Sequence, residues 1–86
     1  MENNDQLFLQ LLYLIHHTAM QELGKVSNPI NGEVERNLEK AKQAIDMLEM
    51  LKEKTKGNLS KELDKTQEMM LSELRLNYVD EANKEA

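Results

Sequence analysis

The amino-acid sequence predicts an all-α fold of three helices. The second and third helices form an antiparallel αα-hairpin, and a highly apolar N-terminal helix accompanies them. Apolar residues recur at helical spacing along three segments, and glycine and proline occur between those segments. The first segment is apolar around more than half of its circumference, and we therefore expect oligomerisation to complete the fold.

The length and composition predict a single small domain with a thin core. A chain of 86 residues buries only about 60 to 65% of the surface that its unfolded form exposes. The sequence contains no cysteine, so neither disulfides nor thiolate metal sites can add stability. Association with another chain is the simplest remaining source of stability. The net charge of −5 disfavours nonspecific nucleic-acid binding, which depends on lysine and arginine.

The first helix is predicted over residues 6–23. Asn4 or Asp5 can cap its free backbone N–H groups, and Gly24 can adopt the left-handed conformation that ends a helix. Residues 24–34 then form an ordered loop or a small hairpin-like excursion, because they contain the turn signals Asn-Pro and Asn-Gly.

The second helix is predicted over residues 35–56, with one apolar stripe facing the core. Steps of four, three, four and three positions place the members of this stripe on one side. They are Val34, Leu38, Ala41, Ile45 and Leu48, and Ala44, Met47 and Leu51 widen the stripe. The opposite side carries mainly charged and amide side chains, as a solvated face should.

Residues 57–60 are predicted to form the turn of the αα-hairpin. Lysines fill the last turns of the second helix, where they interact favourably with its unpaired carbonyl groups. Gly57 ends that helix, and Ser60 caps the third, which covers residues 61–80. One side of the third helix collects Leu63, Met70, Leu71, Leu74 and Tyr78. The tail, residues 81–86, is expected to fray.

The first helix is predicted to mediate self-association, because apolar residues cover more than half of its circumference. A helix of this kind is buried on several sides, whereas a single hairpin offers only one groove. The predicted self-association surface consists of Phe8, Leu12, Ile15, Ala19 and Met20. A secondary contact surface on the third helix consists of Met69, Leu76 and Val79, whose alternative explanation is ordinary exposure of isolated apolar residues.

Most of the chain, from about Leu7 to Val79, resembles a known bacterial family. The resemblance is carried by NLEKAKQAIDMLEMLKEKTKGNLS, together with the upstream ELGKVSNPINGEVE and the downstream LSELRLNYV. These segments are similar to the family catalogued as domain of unknown function 1844. Met47 stands where the family more usually has leucine, and Lys61 follows the cap where proline or an acidic residue is more typical. The resemblance implies a small helical protein without an established activity, and it supplies no catalytic residues.

No catalytic constellation is visible in the sequence, so we predict neither an enzyme nor a cofactor or metal. His16 and His17 are adjacent, so they point about 100° apart and cannot hold one metal as residues four apart can. His16 is expected to be hydrogen-bonded in the interior, and His17 to lie at the surface or in an interface. The alternative for the histidines is a metal site completed by a second chain. Four methionines either fill the core or line a groove for a partner helix. They are Met47, Met50, Met69 and Met70.

The functional prediction is a structural or interaction protein. It would form a homo-oligomer or serve as a subunit or adaptor of a larger assembly, with itself and another protein as partners. Peripheral membrane association through the first helix is the alternative, although that helix lacks the lysine or arginine that meets lipid headgroups. Metal binding and nucleic-acid binding rank lower. The cytoplasm is the expected compartment, because no basic residue precedes the apolar run at residues 7–15.

Overall fold

The structure, a computed structural model that describes residues 3–85, confirms the all-α class. Its helices are α1 (Asn3–Glu22), α2 (Leu38–Lys54) and α3 (Lys61–Glu85). Lys52 pairs with Glu68, and Glu49 pairs with Arg75, so α2 and α3 run in opposite directions as predicted. The first helix is not separate from this hairpin, because α1 contacts α2 more extensively than α3 does.

All three helices contribute to one apolar core. The predicted stripe of α3 is confirmed, since Leu63, Met70, Leu71 and Leu74 are buried and Tyr78 packs against the core. The second helix contributes its small and branched residues from the predicted stripe, and the first contributes its inner side. The buried cluster consists of Leu12, Ala19, Leu23, Ala41, Ala44, Ile45, Leu48, Met70, Leu71 and Leu74.

The first helix begins earlier than the sequence predicted. Asn4 and Asp5 lie inside α1 rather than before it, so neither is the N-cap, and the capping position falls outside the described residues. Asp5 still stabilises this end, because a negative charge in the first turn interacts favourably with the helix dipole. At the other end Gly24 has a φ of 77°, which confirms the predicted left-handed stop.

The connection between α1 and α2 is the hairpin-like excursion that the sequence allowed. Leu23 and Arg36 form an isolated antiparallel bridge at its base. Farther out, the amide of Asn28 donates to the carbonyl oxygen of Glu33 at 2.8 Å. The amide of Ile30 donates to the side chain of Asn28, so the turn is closed by an Asx-type hydrogen bond.

The second helix begins three residues later than predicted, because Asn37 caps it. The Asn37 side chain accepts a hydrogen bond from the amide of Lys40 at 3.0 Å. Val34 therefore lies in the loop with 63% of its surface exposed, and its assignment to the core stripe was wrong. The helix also ends two residues early, at Lys54, where Thr55 is the C-cap.

The turn between α2 and α3 follows the prediction, whereas the tail does not. Gly57 has a left-handed φ of 82° in the turn, although α2 has already ended at Lys54. The hydroxyl of Ser60 accepts from the amide of Leu63, which confirms the predicted cap. The predicted fraying of residues 81–85 is corrected, because α3 continues to Glu85. Glu81 is almost fully buried there, and its ion pairs hold the last turns in place. Residue 86 lies outside the described residues.

Candidate functional site

The first helix exposes a stripe of leucines that residues 3–85 leave uncovered. Leu7, Leu11 and Leu14 follow each other at four and three positions, so they lie within about 60° of one another around the helix. All three are exposed, and Leu14 exposes 67% of its surface. The spacing matches the seam that a helix presents to another helix in a coiled coil.

The second helix continues this apolar surface. Leu14 and Met47 line a groove of about 300 Å³ between α1 and α2, in which Ile15 and Ala44 also take part. Met50 follows Met47 by one helical turn and is likewise exposed. Leu7, Leu11, Leu14, Met47 and Met50 together form what we call the α1–α2 face.

Charge is distributed unevenly around the α1–α2 face. Residues 6–21 contain no charged side chain, although charged residues make up 31% of the whole chain. Glu22 lies beyond the leucines, across the groove from Lys40, and both side chains line it. Lys54 lies on the same stripe of α2 as Met47, two turns farther along. Within residues 3–85, neither Lys40 nor Lys54 belongs to an ion pair.

The structure places the predicted self-association surface inside the chain. Leu12 and Ala19 are completely buried, and Phe8, Ile15 and Met20 pack against the same core. Leu12 and Ala19 therefore belong to the inner side of α1 and cannot cover a second copy, whereas Phe8, Ile15 and Met20 are partly buried on the same core. The α1–α2 face lies on the neighbouring stripe, and the sequence analysis missed its leucines. Their spacing was a usable signal, because two adjacent stripes each repeat at four and three positions.

The predicted secondary contact surface on α3 is accessible. Met69, Leu76 and Val79 are all exposed, at 68%, 73% and 55% of their surfaces. Met69 and Leu76 line a shallow depression that also includes Glu68 and Glu73. Of the four methionines considered for a groove, Met70 fills the core, whereas Met47, Met50 and Met69 are exposed.

The histidines have separate environments. His16 is partly buried, and its Nε2 donates to a carboxylate oxygen of Glu73 at 3.0 Å, which links α1 to α3 and confirms the predicted hydrogen bond. His17 is exposed and lies in a shallow depression with Tyr13 and Leu14. Within residues 3–85, no three side chains of histidine, aspartate or glutamate are grouped as metal ligands would be. In the same part of the chain, no helix combines the length and apolar character needed to cross a membrane.

A cluster of charges around the buried carboxylate of Glu81, which the sequence analysis missed, ties the loop to the end of α3. The carboxylate of Glu81 lies 2.8 Å from Lys25 Nζ, 3.1 Å from Arg36 Nη1 and 2.7 Å from Lys84 Nζ. Hydrogen bonds from Lys25, then Lys84, then Arg36 lower the pKa of Glu81 to about 2. Hydrogen bonds to Glu81 and Asp80 in turn raise the pKa of Lys25. The cluster is a structural clamp, since its carboxylate is already saturated by cations.

Gln67 is a second buried polar residue that sequence analysis missed. It lies on the core side of α3, between Leu63 and Leu71, and is completely buried. Neither its Nε2 nor its Oε1 has a hydrogen-bond partner among the residues that the structure describes. Buried amides are normally paired, so Gln67 is an exception among the described residues.

Comparison with known proteins identifies a family but no characterised relative. A protein-family model described as "Domain of unknown function (DUF1844)" matches residues 6–81. No curated protein matches the chain. No solved structure matches it either.

Proposed function

We propose a function from the molecular surface, because the chain belongs to the DUF1844 family, whose function is unknown. The protein is a small, non-catalytic interaction protein that associates with a second copy of itself. The observation that carries this proposal is the α1–α2 face, in which exposed leucines and methionines lie on two helices whose opposite sides already form the core.

The size of the α1–α2 face suits a specific but moderate association. Two adjacent helices about 25 Å long and about 10 Å apart present a flat footprint of roughly 500 Å². A standard interface buries about 800 Å² of accessible surface on each partner. The face therefore supports association at the weaker end of the specific range, which should depend visibly on protein concentration.

The composition of the α1–α2 face favours a second copy over a differently charged partner. The cores of interfaces are depleted of charged residues, and the stretch of residues 6–21 contains none. Two chains of net charge −5 repel each other unless they meet through a neutral surface. The exposed leucines of α1 and methionines of α2 provide such a surface, and a two-fold axis brings this surface against the same surface of a second copy.

The direct test is the mass of the tag-free protein by size-exclusion chromatography with light scattering, over a hundredfold concentration range. We expect the mass to rise from one chain, 10.0 kDa, towards two. Leu14→Glu should weaken this dimer at least about 100-fold, because each dimer loses two leucine contacts of about 1.5–3 kcal/mol each.

Leu76→Glu is the matched control, because Leu76 is as exposed as Leu14 but lies on α3. It should dimerise as the unmodified protein does, and circular dichroism should show that both variants keep their helices. A protein that stays monomeric at the highest concentration contradicts the proposal. Dissociation by Leu76→Glu alone would transfer the interface to the surface formed by Met69, Leu76 and Val79.

A further inference from the structure

We infer that the second copy docks with the two-fold axis parallel to the helices, so that α1 of each copy packs on α2 of the other. This inference rests on the proposed function and specifies the partner of the α1–α2 face: it is the second helix of another copy. The result is a core of four helices in two layers. Each layer is the α1–α2 pair of one copy, and each chain's α3 lies on the outside.

Two symmetric arrangements can bring the α1–α2 face of one copy against the same face of another. An axis parallel to the helices places α1 opposite the second copy's α2. An axis across the helices instead places α1 opposite α1, and α2 opposite α2. Both are isologous, so symmetry alone does not choose between them.

The heights of the side chains along the helix axes favour the parallel axis. Leu23 is bridged to Arg36 at one end of the α1–α2 pair, and Leu14 meets Met47 farther along. Because the helices are antiparallel and rise equally per residue, Leu11 is level with Met50. Rotation about an axis parallel to the helices keeps every residue at its own level. The leucines of one copy then face the methionines of the other without any shift.

Charge leads to the same choice. With the parallel axis, Glu22 of each copy faces Lys40 of the other, and neither side chain has an ion-pair partner among residues 3–85. With the crosswise axis, α2 faces α2, and Lys40 and Lys54 of both copies line one seam. Like charges along a seam destabilise a helix pair.

The acidic residues of α2 lie along one edge of the α1–α2 face. Glu39, Asp46 and Glu53 lie about 80–120° around the helix from Met47, on the side away from α1. Met50 is displaced by about 60° to the same side, so these carboxylates flank it and offset part of the lysine repulsion in the crosswise arrangement. Asp46 is in addition paired with Lys42 of its own helix. The facing of Glu22 by Lys40 and the heights of the side chains along the helices remain the grounds for the parallel axis.

The absence of cysteine from the sequence permits a clean crosslinking test. Leu11→Cys and Met50→Cys are prepared as separate variants, unfolded, mixed in equal amounts, refolded together and treated with a short bismaleimide. We expect crosslinked dimers in the mixture, up to about half of the chains, which is the statistical share of mixed pairs. Each variant alone should crosslink very little, because each cysteine then faces an unmodified side chain.

Leu76→Cys mixed with Leu11→Cys measures crosslinking by random collision, since Leu76 lies on α3 and is well exposed. Efficient crosslinking of Leu11→Cys alone indicates the crosswise axis and overturns this inference, while the proposed self-association stands. Dimers that show no crosslink in the Leu11 and Met50 mixture also overturn it. A protein that remains monomeric in the light-scattering experiment overturns the proposed function, and this arrangement with it.

Discussion

Replacement of Gln67 by methionine is expected to stabilise the protein, because it removes a buried amide that has no hydrogen-bond partner among residues 3–85. The side chain is completely buried, and its Nε2 and Oε1 both lack hydrogen-bond partners among residues 3–85. Methionine has a similar length and flexibility, so it can fill the same space without leaving a cavity. The substitution therefore removes two unpaired polar atoms with little change in packing.

The magnitude follows from the cost of those two atoms. A buried donor or acceptor without a partner costs about 1–3 kcal/mol. Taking the lower end for each atom gives a gain of about 2 kcal/mol in the free energy of unfolding. For a domain of this size, 1 kcal/mol corresponds to about 4–8 °C, so the melting temperature should rise by about 8–16 °C.

The assay is urea and thermal unfolding followed by circular dichroism at 222 nm. All variants are compared at one protein concentration, because self-association also stabilises the folded state. Gln6→Met is the control, since Gln6 is exposed on α1 and its substitution should change stability by less than about 0.5 kcal/mol. A Gln67→Met protein that is equally or less stable would refute the reasoning and show that the buried amide has a partner, such as an internal water.

Two further predictions concern the charge cluster and the inner side of α1. The pKa of Glu81 is lowered from 4.5 to about 2, so its ionised form contributes stability above pH 4.5 that is lost as the pH falls towards 2. Glu81→Gln should therefore be less stable than the unmodified protein at pH 7. The difference between the urea midpoints of the two proteins should close between about pH 4.5 and 2. A difference that stays constant with pH would contradict the clamp. Leu12→Glu should abolish the helical circular dichroism signal instead of merely dissociating a dimer, because Leu12 is completely buried. A folded Leu12→Glu monomer would return the self-association surface to the inner side of α1.

The helices that the sequence predicted most accurately depend on local signals. Thr55 and the left-handed Gly57 turn the chain after α2, and Ser60 caps α3, through conformations and hydrogen bonds within a few residues. The predicted start of α2 and end of α3 were wrong because residues distant in sequence fix them. The amide of Asn37 donates to the carbonyl oxygen of Glu22, on the far side of the loop, and this contact places the cap of α2. The end of α3 likewise depends on Lys25 and Arg36, which meet Glu81 only in the folded chain.

The sequence by itself determined the three helices, the stops between them and the inner side of α3, because helical period and turn conformation are properties of neighbouring residues. It also showed that α1 has more apolar surface than one hairpin can cover. Only the tertiary structure decided which stripe of α1 faces inwards. Two adjacent stripes satisfy the same periodicity, and the choice depends on how α2 and α3 pack against them. That packing buries Leu12 and Ala19 and leaves Leu7, Leu11 and Leu14 beside Met47 at the surface.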